Sequence, residues 1–367
     1  MKVPINHIKF FGKENKYIQD CISSSWVGSD GEYVKSFETE VAKYVGRKFA
    51  VACTNGSSAL DMAIHASSLT KGDEVLMPNF TIISCAQYFI LRGIKPIFLD
   101  CDQRTFNINV DNIKKYITKK TKAILAVHVY GLTVDMDPLL NLAKEYNLEV
   151  IEDAAEAFGN KYKNKYCGSF GVMSTLSFYP NKHITTGEGG MVLTDDNIIY
   201  EKLKKYRNLY FTEERFIHEE FGHNYRMTNL QAAIGLAQME CIDKNLKKKV
   251  AIGKNYNKML ASSSSLILPL TETNYCKNIY WVYPIVIKNY KIEKKKLISR
   301  LNSNGIATRP FFFPMNLQPV IQKYGIKQPG LDISKRLYDT GFYIPSGLAL
   351  NYEEQEYISD CLLKFSE

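Results

Sequence analysis

The stretch Ser177-Phe178-Tyr179-Pro180-Asn181-Lys182-His183-Ile184-Thr185-Thr186-Gly187-Glu188-Gly189-Gly190 decides how this chain is read. It lies between two runs with strand character, Met173 to Phe178 and Gly190 to Thr194, and so reads as a loop held close to the core. A lysine in a loop is ordinarily a solvated surface charge. Lys182 instead has short polar neighbours and three glycines around it. A lysine partly withdrawn from water loses proton affinity, and its neutral amine can form a Schiff base with an aldehyde. His183 reads as a neighbour that packs or hydrogen-bonds beside the loop. The loop alone does not separate a reactive lysine from an ordinary one.

Working outward, Asp153 in Ile151-Glu152-Asp153-Ala154-Ala155-Glu156 falls at the C-terminal end of a strand pattern. Ligands of open α/β sheets bind at that edge. A carboxylate there can pair with a protonated pyridine nitrogen; it can equally cap the next helix. Further back, Thr54-Asn55-Gly56-Ser57-Ser58-Ala59-Leu60 joins a strand to a helix, and free N–H groups with hydroxyls at a helix N-terminus suit a phosphate. An ordinary Ser-capped helix fits the same residues. The turn is neither a G-x-G-x-x-G fingerprint nor a Walker loop, which argues against a dehydrogenase or a nucleotidase. Phosphate turn, strand-end Asp and loop Lys, in that order, are together more specific than any one of them.

Around these residues the first half alternates short apolar runs with helical patterns. Strands are read at Ala50–Cys53, Glu74–Met77, Pro96–Leu99, Ala123–Val127 and Leu148–Ile151, with a helix from Ser57 to Ser68. Continuous apolar runs of this kind predict parallel strands buried on both faces. A long helical stretch is read from Thr228 to Leu260, then a break at Ser262–Ser265, a strand over Tyr280–Ile287 and a helix over Glu293–Asn302. A boundary near residue 245 divides a larger unit, 1–245, from a smaller C-terminal one, 246–367.

Composition narrows the class. The 367 residues are 45% hydrophobic and 23% charged, which suits a folded chain and not a disordered one. The longest apolar run, Ile83 to Leu91, is far too short for a membrane span, and the start of the chain lacks an apolar leader, so the expected location is the cytoplasm. Eight scattered cysteines without a C-x-x-C pair predict neither a disulfide framework nor a metal site. The net charge of +9 comes with lysine runs at 247–249 and 294–296 that lack interleaved aromatics; they read as solvated helix faces, not a nucleic-acid groove. The excess charge favours a phosphorylated substrate.

With Ser25-Trp26-Val27-Gly28-Ser29-Asp30-Gly31, Gly72-Asp73-Glu74-Val75, His128-Val129-Tyr130-Gly131, Gly222-His223-Asn224-Tyr225-Arg226-Met227-Thr228-Asn229, Thr308-Arg309-Pro310 and Ile344-Pro345-Ser346 added, the chain resembles the DegT/DnrJ/EryC1/StrS aminotransferase family. Its members are transferases of fold type I that depend on pyridoxal 5′-phosphate (PLP), and many aminate keto sugars attached to nucleotides. The resemblance implies an α/β fold, with a large, mostly parallel sheet domain and a smaller α+β C-terminal domain. The Lys182 loop and the 222–229 segment look most like the GDP-perosamine synthase group, which aminates a 4-keto-6-deoxy sugar on GDP for surface polysaccharides.

By that resemblance Lys182 bonds to the PLP aldehyde and then moves the proton, and Asp153 pairs with the pyridine nitrogen. Glu156 sits near the phenolic oxygen, at a position often held by Gln. Gly56, Ser57, Ser58 and Ser177 hold the phosphate. Asn224 reaches it from the second subunit of a homodimer. His218, Arg309 and Asn316 match positions near the substrate, and glutamate is the amino donor. Two departures stand out. Ile82 replaces the aromatic residue that usually stacks on the cofactor ring, and Asn316 stands where close relatives tend to have His. They leave open a smaller phosphorylated ketone, such as dihydroxyacetone phosphate, as acceptor. A binding or regulatory protein without turnover is the reading of another class. Relatives with His in place of the lysine dehydrate sugars; Lys182 excludes that chemistry here.

Overall fold

The computed structural model describes residues 1–214, 216–288 and 291–366. Nine strands come first: β1 (Phe49–Cys53), β2 (Glu74–Pro78), β3 (Lys95–Leu99), β4 (Thr121–Val127), β5 (Glu149–Asp153), the small hairpin β6 (Lys161–Tyr162) and β7 (Lys165–Tyr166), then β8 (Met173–Ser177) and β9 (Gly190–Thr194). Seven of them form one sheet in the order β1-β9-β8-β5-β4-β2-β3. Pairing is parallel except along β9, which runs antiparallel to both β1 and β8. The alternation of runs and helices foretold this largely parallel sheet, and the expected strands lie within two residues of the observed ones.

Both faces of the sheet are covered, so successive residues of one strand serve different cores. On β2 and β4, Val75, Met77, Ala123 and Leu125 face a cluster that includes Ala63 of α1 (Gly56–Ala66) and Phe89. Leu76, Ile124 and Ala126 face the opposite layer, with Met136, Leu139 and Ala143. This two-sided burial is why the runs read as continuous instead of alternating. Toward the other edge, Ala50, Ala52 and Leu193 pack with Phe37 and Val41 and with Ala232.

The expected helix over 228–260 is two helices, Asn229–Met239 and Ile242–Met259. Cys241 leaves helical dihedrals between them. The halves serve different partners: Ala232 and Met239 of the first pack beside the large sheet, whereas Ile252 and Tyr256 of the second join a separate core. That core underlies a four-stranded antiparallel sheet, β10 (Leu266–Ile267), β11 (Tyr283–Ile287), β12 (Arg309–Pro310) and β13 (Gly341–Ile344), in the order β10-β11-β13-β12. Val3 belongs to it too, bridged to Ile306. The lysine run at 247–249 is not a uniformly solvated face: Lys249 is buried. Among the described residues no helix is long and apolar enough to cross a membrane, and all eight cysteines are unpaired.

Candidate active site

A cavity of about 840 Å³ opens at the C-terminal ends of β1, β4, β5 and β8. Its first wall is the turn after β1. Asn55 caps α1 by accepting from the Ser58 backbone N–H (2.8 Å) and from the Ser58 hydroxyl (3.0 Å). With that proton committed, the Thr54 hydroxyl is the donor in its 2.9 Å contact with Ser58. Ser57 donates to Ser84, 2.9 Å away. Gly56 is required by a close approach: a Cβ there would lie 2.8 Å from Ser177 Cβ, so only glycine lets the helix start sit against β8. The first N–H groups of a helix have no internal acceptor. Those of Ser58 and Ala59 are taken by Asn55, while Gly56 and Ser57 line the cavity together with Ser177 and Ser84, a donor set that fits a phosphate.

The second wall carries acid. Asp153 ends β5, in register with Val127 and Thr175. One oxygen accepts from Ala155 N (3.0 Å) and the other from the Cys85 thiol (3.4 Å). Burial raises its pKa, with the Ala155 N–H and the Lys182 charge opposing. Glu156 accepts from Tyr130 N (2.9 Å), and burial pushes it up to about 7 against the pull of Lys182. The neighbouring Glu152 belongs to the scaffold. It accepts from His128 Nε2 (2.9 Å), Gly168 N (2.6 Å) and Phe170 N (2.8 Å). Val134 N–H donates to His128 Nδ1 (3.0 Å), which fixes the ring proton on Nε2. His128, Glu152 and Cys167 lie within 4.8 Å of one another, but the N–H donors already occupy both Glu152 oxygens.

Lys182 reaches in from the loop between β8 and β9. Thr185 ties that loop to Phe178 O (2.8 Å), and Gln231 of the Thr228–Gln231 capping box holds Glu188 O (2.7 Å). The Lys182 amine has no hydrogen bond or ion pair among the described residues; it stands 3.9 Å from the centre of the Trp281 ring. Burial lowers its pKa, opposed by Glu156 and then Asp153. An amine with reduced proton affinity, a buried acid within electrostatic reach and a phosphate cradle share one cavity. They fit an aromatic aldehyde that bears a phosphate and a basic ring nitrogen.

Of the residues singled out from sequence, Gly56, Ser57, Ser58, Ile82, Asp153, Glu156, Ser177, Lys182 and Asn224 all line this cavity. Ile82 is 48% exposed there. Asn224, expected to act across a subunit boundary, lines the cavity of its own chain, because Thr54 N bonds Tyr225 O (3.0 Å) and Asn208 bridges Asn224. Three residues lie off the lining. His218 is exposed, with Nδ1 2.7 Å from Leu209 O. Arg309 is exposed on β12. Asn316 is buried in a reciprocal pair with Asn79 (3.0 and 2.9 Å) and donates to Gln328 O. Sequence reasoning passed over Ser84, Trp281, Phe312 and Tyr343. Trp281 carried one signal, as one of only two tryptophans in the chain.

The model of the DegT/DnrJ/EryC1/StrS aminotransferase family matches residues 11–363. The chain belongs to this family. GDP-perosamine synthase of Escherichia coli O157:H7 is 38% identical over 364 residues, 99% of this chain and 98% of the relative. Helicobacter pylori PseC, an aminotransferase involved in the biosynthesis of pseudoaminic acid, shares the fold with a TM-score of 0.94 at 23% identity, covering 100% and 99% of the two chains. A point mutant of GDP-4-keto-6-deoxymannose-3-dehydratase (ColD), solved with bound GDP-perosamine, superposes with a TM-score of 0.92 at 26% identity, covering 98% and 100%. As a member of the DegT/DnrJ/EryC1/StrS family the protein is a PLP-dependent aminotransferase of α/β fold type I.

Proposed function

We propose that this DegT/DnrJ/EryC1/StrS enzyme moves an amino group from glutamate to the keto group of a nucleotide-linked 4-keto-6-deoxyhexose, as a step toward surface polysaccharide. The similarity to a GDP-perosamine synthase over nearly the full length of both chains carries the acceptor class. Lys182 supplies the amine that takes up the cofactor's aldehyde. With its amine free, Lys182 would take the proton from the donor's Cα, a task its lowered proton affinity serves. PLP, when bound, supplies the sink for the electron pair left on that carbon. With PLP bound, Asp153 would hold the ring nitrogen's proton, Glu156 would serve the phenolic oxygen, Ile82 would cover the ring, and Gly56, Ser57, Ser58, Ser177 and Asn224 would hold the phosphate. His218 and Arg309, exposed and off this chain's cavity, would meet the sugar nucleotide across the subunit boundary of a cytoplasmic homodimer, whereas Asn316, committed to Asn79 and Gln328, supports the fold instead of the substrate.

A small phosphorylated ketone would leave much of an 840 Å³ cavity unfilled beside the cofactor. A protein without turnover would have no use for an unpaired lysine amine beside a buried acid. The test is a panel of keto sugar nucleotides and small keto phosphates incubated with glutamate and read by product mass. Amination of a 4-keto-6-deoxy sugar nucleotide is expected. Amination of a keto phosphate alone overturns the assignment.

A further inference from the structure

The buried Lys249 has no part in the chemistry above. It is 4% exposed, and its amine contacts Trp281 O (2.9 Å), Ser346 O (2.6 Å) and Ser346 Oγ (3.3 Å). No carboxylate pairs with it among the described residues; burial alone lowers its proton affinity. Such a group is costly to bury, so its hydrogen bonds serve a purpose that an apolar residue could not. One helical turn earlier on the same face, Asn245 donates to His183 O (3.1 Å). The helix Ile242–Met259 thus grips three backbone carbonyls: one next to Lys182 in sequence, one on the tryptophan whose ring lies 3.9 Å from the Lys182 amine, and that of Ser346.

We propose that Lys249 is a positioning residue: it fixes the Trp281 backbone so that the indole forms the platform on which the free Lys182 amine rests whenever the amino group is carried by the cofactor. A cation over an indole face is held electrostatically, and the ring's position decides where the amine waits. This rests on the reading of Lys182 as the reactive amine. The clamp joins the core of the small antiparallel sheet to the large-sheet loop through backbone atoms, so a displaced helix moves the amine.

The test uses the full-length Trp26→Phe protein, in which Trp281 is the sole tryptophan, loaded with pyridoxamine phosphate. The Lys182-dependent part of Trp281 emission is read against Lys182→Met in the same background. In Lys249→Met that dependence is expected to fall at least about threefold, as pairwise coupling requires. The kcat is expected to drop about 10- to 100-fold at little-changed KM for glutamate, the cost of misplacing a reacting group. If the emission difference persists in Lys249→Met, the proposal is overturned whatever the rate does. Should that variant not fold, Lys249→Gln decides in the same way: its shorter amide cannot hold both carbonyls, and an unchanged emission difference overturns the clamp. Failure of the underlying reading shows separately, as unimpaired turnover in Lys182→Met.

Discussion

Two sides of the cavity, the turn after β1 and the aromatic side near Lys182, are built in opposite ways. The turn after β1 is mostly local: Thr54, Asn55 and Ser58 satisfy one another, while Ser57, through Ser84, and Gly56, against Ser177, answer to distant packing. The floor beneath Lys182 is assembled over long range. Trp281, Phe312 and Tyr343 come from 99 to 161 positions downstream, and Lys249 fastens the first of them from a third element. A locally encoded cradle binds whatever bears a phosphate. A wall gathered from distant segments of the chain can vary in what it presents to the substrate while the cradle stays the same.

The comparison can be broken at the chemistry first. Asp153→Asn keeps the strand end but removes the charge that holds a ring proton; kcat is expected to fall by about 10²–10³, the usual scale for losing one preorganised electrostatic partner. The check is single-turnover conversion of glutamate at saturating PLP, where loss of less than a few-fold would mean the acid is only a helix cap.

Gly56→Ala attacks the local wall alone. Its new Cβ must push Ser177 or the helix start away, because 2.8 Å is well inside van der Waals contact. PLP affinity is expected to weaken about tenfold, or ~1.4 kcal/mol, with kcat at saturating cofactor nearly intact. Equilibrium titration of the apoprotein with PLP measures it. An effect on kcat without one on affinity would show that the cradle is not local.

The smallest effect sharpens the long-range half. Burial lowers Lys249 from 10.5 to about 7. The unfolded chain therefore holds this proton up to about pH 10.5, while the folded chain releases it above about 7. Stability from this group rises with pH across that window and is flat below it. The melting temperature of the native protein relative to Lys249→Met is expected to climb between about pH 7 and 10 and stay level between about pH 5.5 and 6.5. A difference that is flat or falls across the upper window contradicts a lysine buried without an acid.

What was legible in the sequence follows the same division. The seven strands of the main sheet were readable because burial on both faces leaves unbroken apolar runs such as Ala123–Val127. The turn at 54–58, Asp153 and Lys182 were readable because each lies at a junction between elements. Lys249 was misread as solvated: a run of three lysines on a helix gives no sign that one of them turns into the core between Trp281 and Ser346. The break at Cys241 was hidden for a related reason. No glycine or proline marks it; past the break Ile242 still packs with the first half's cluster, and only from Ile252 does the second half join the other core. Trp281, Phe312 and Tyr343 left no local pattern, since only tertiary contact brings them to the site.

The central claim is that the Lys182 amine is the one that takes the cofactor's aldehyde. Borohydride reduction of the PLP-loaded protein, followed by digestion and mass mapping, tests it directly. The account predicts the pyridoxyl label on the peptide bearing Lys182 and its loss in Lys182→Ala. Label found on another lysine, with Lys182 unmodified, would contradict it.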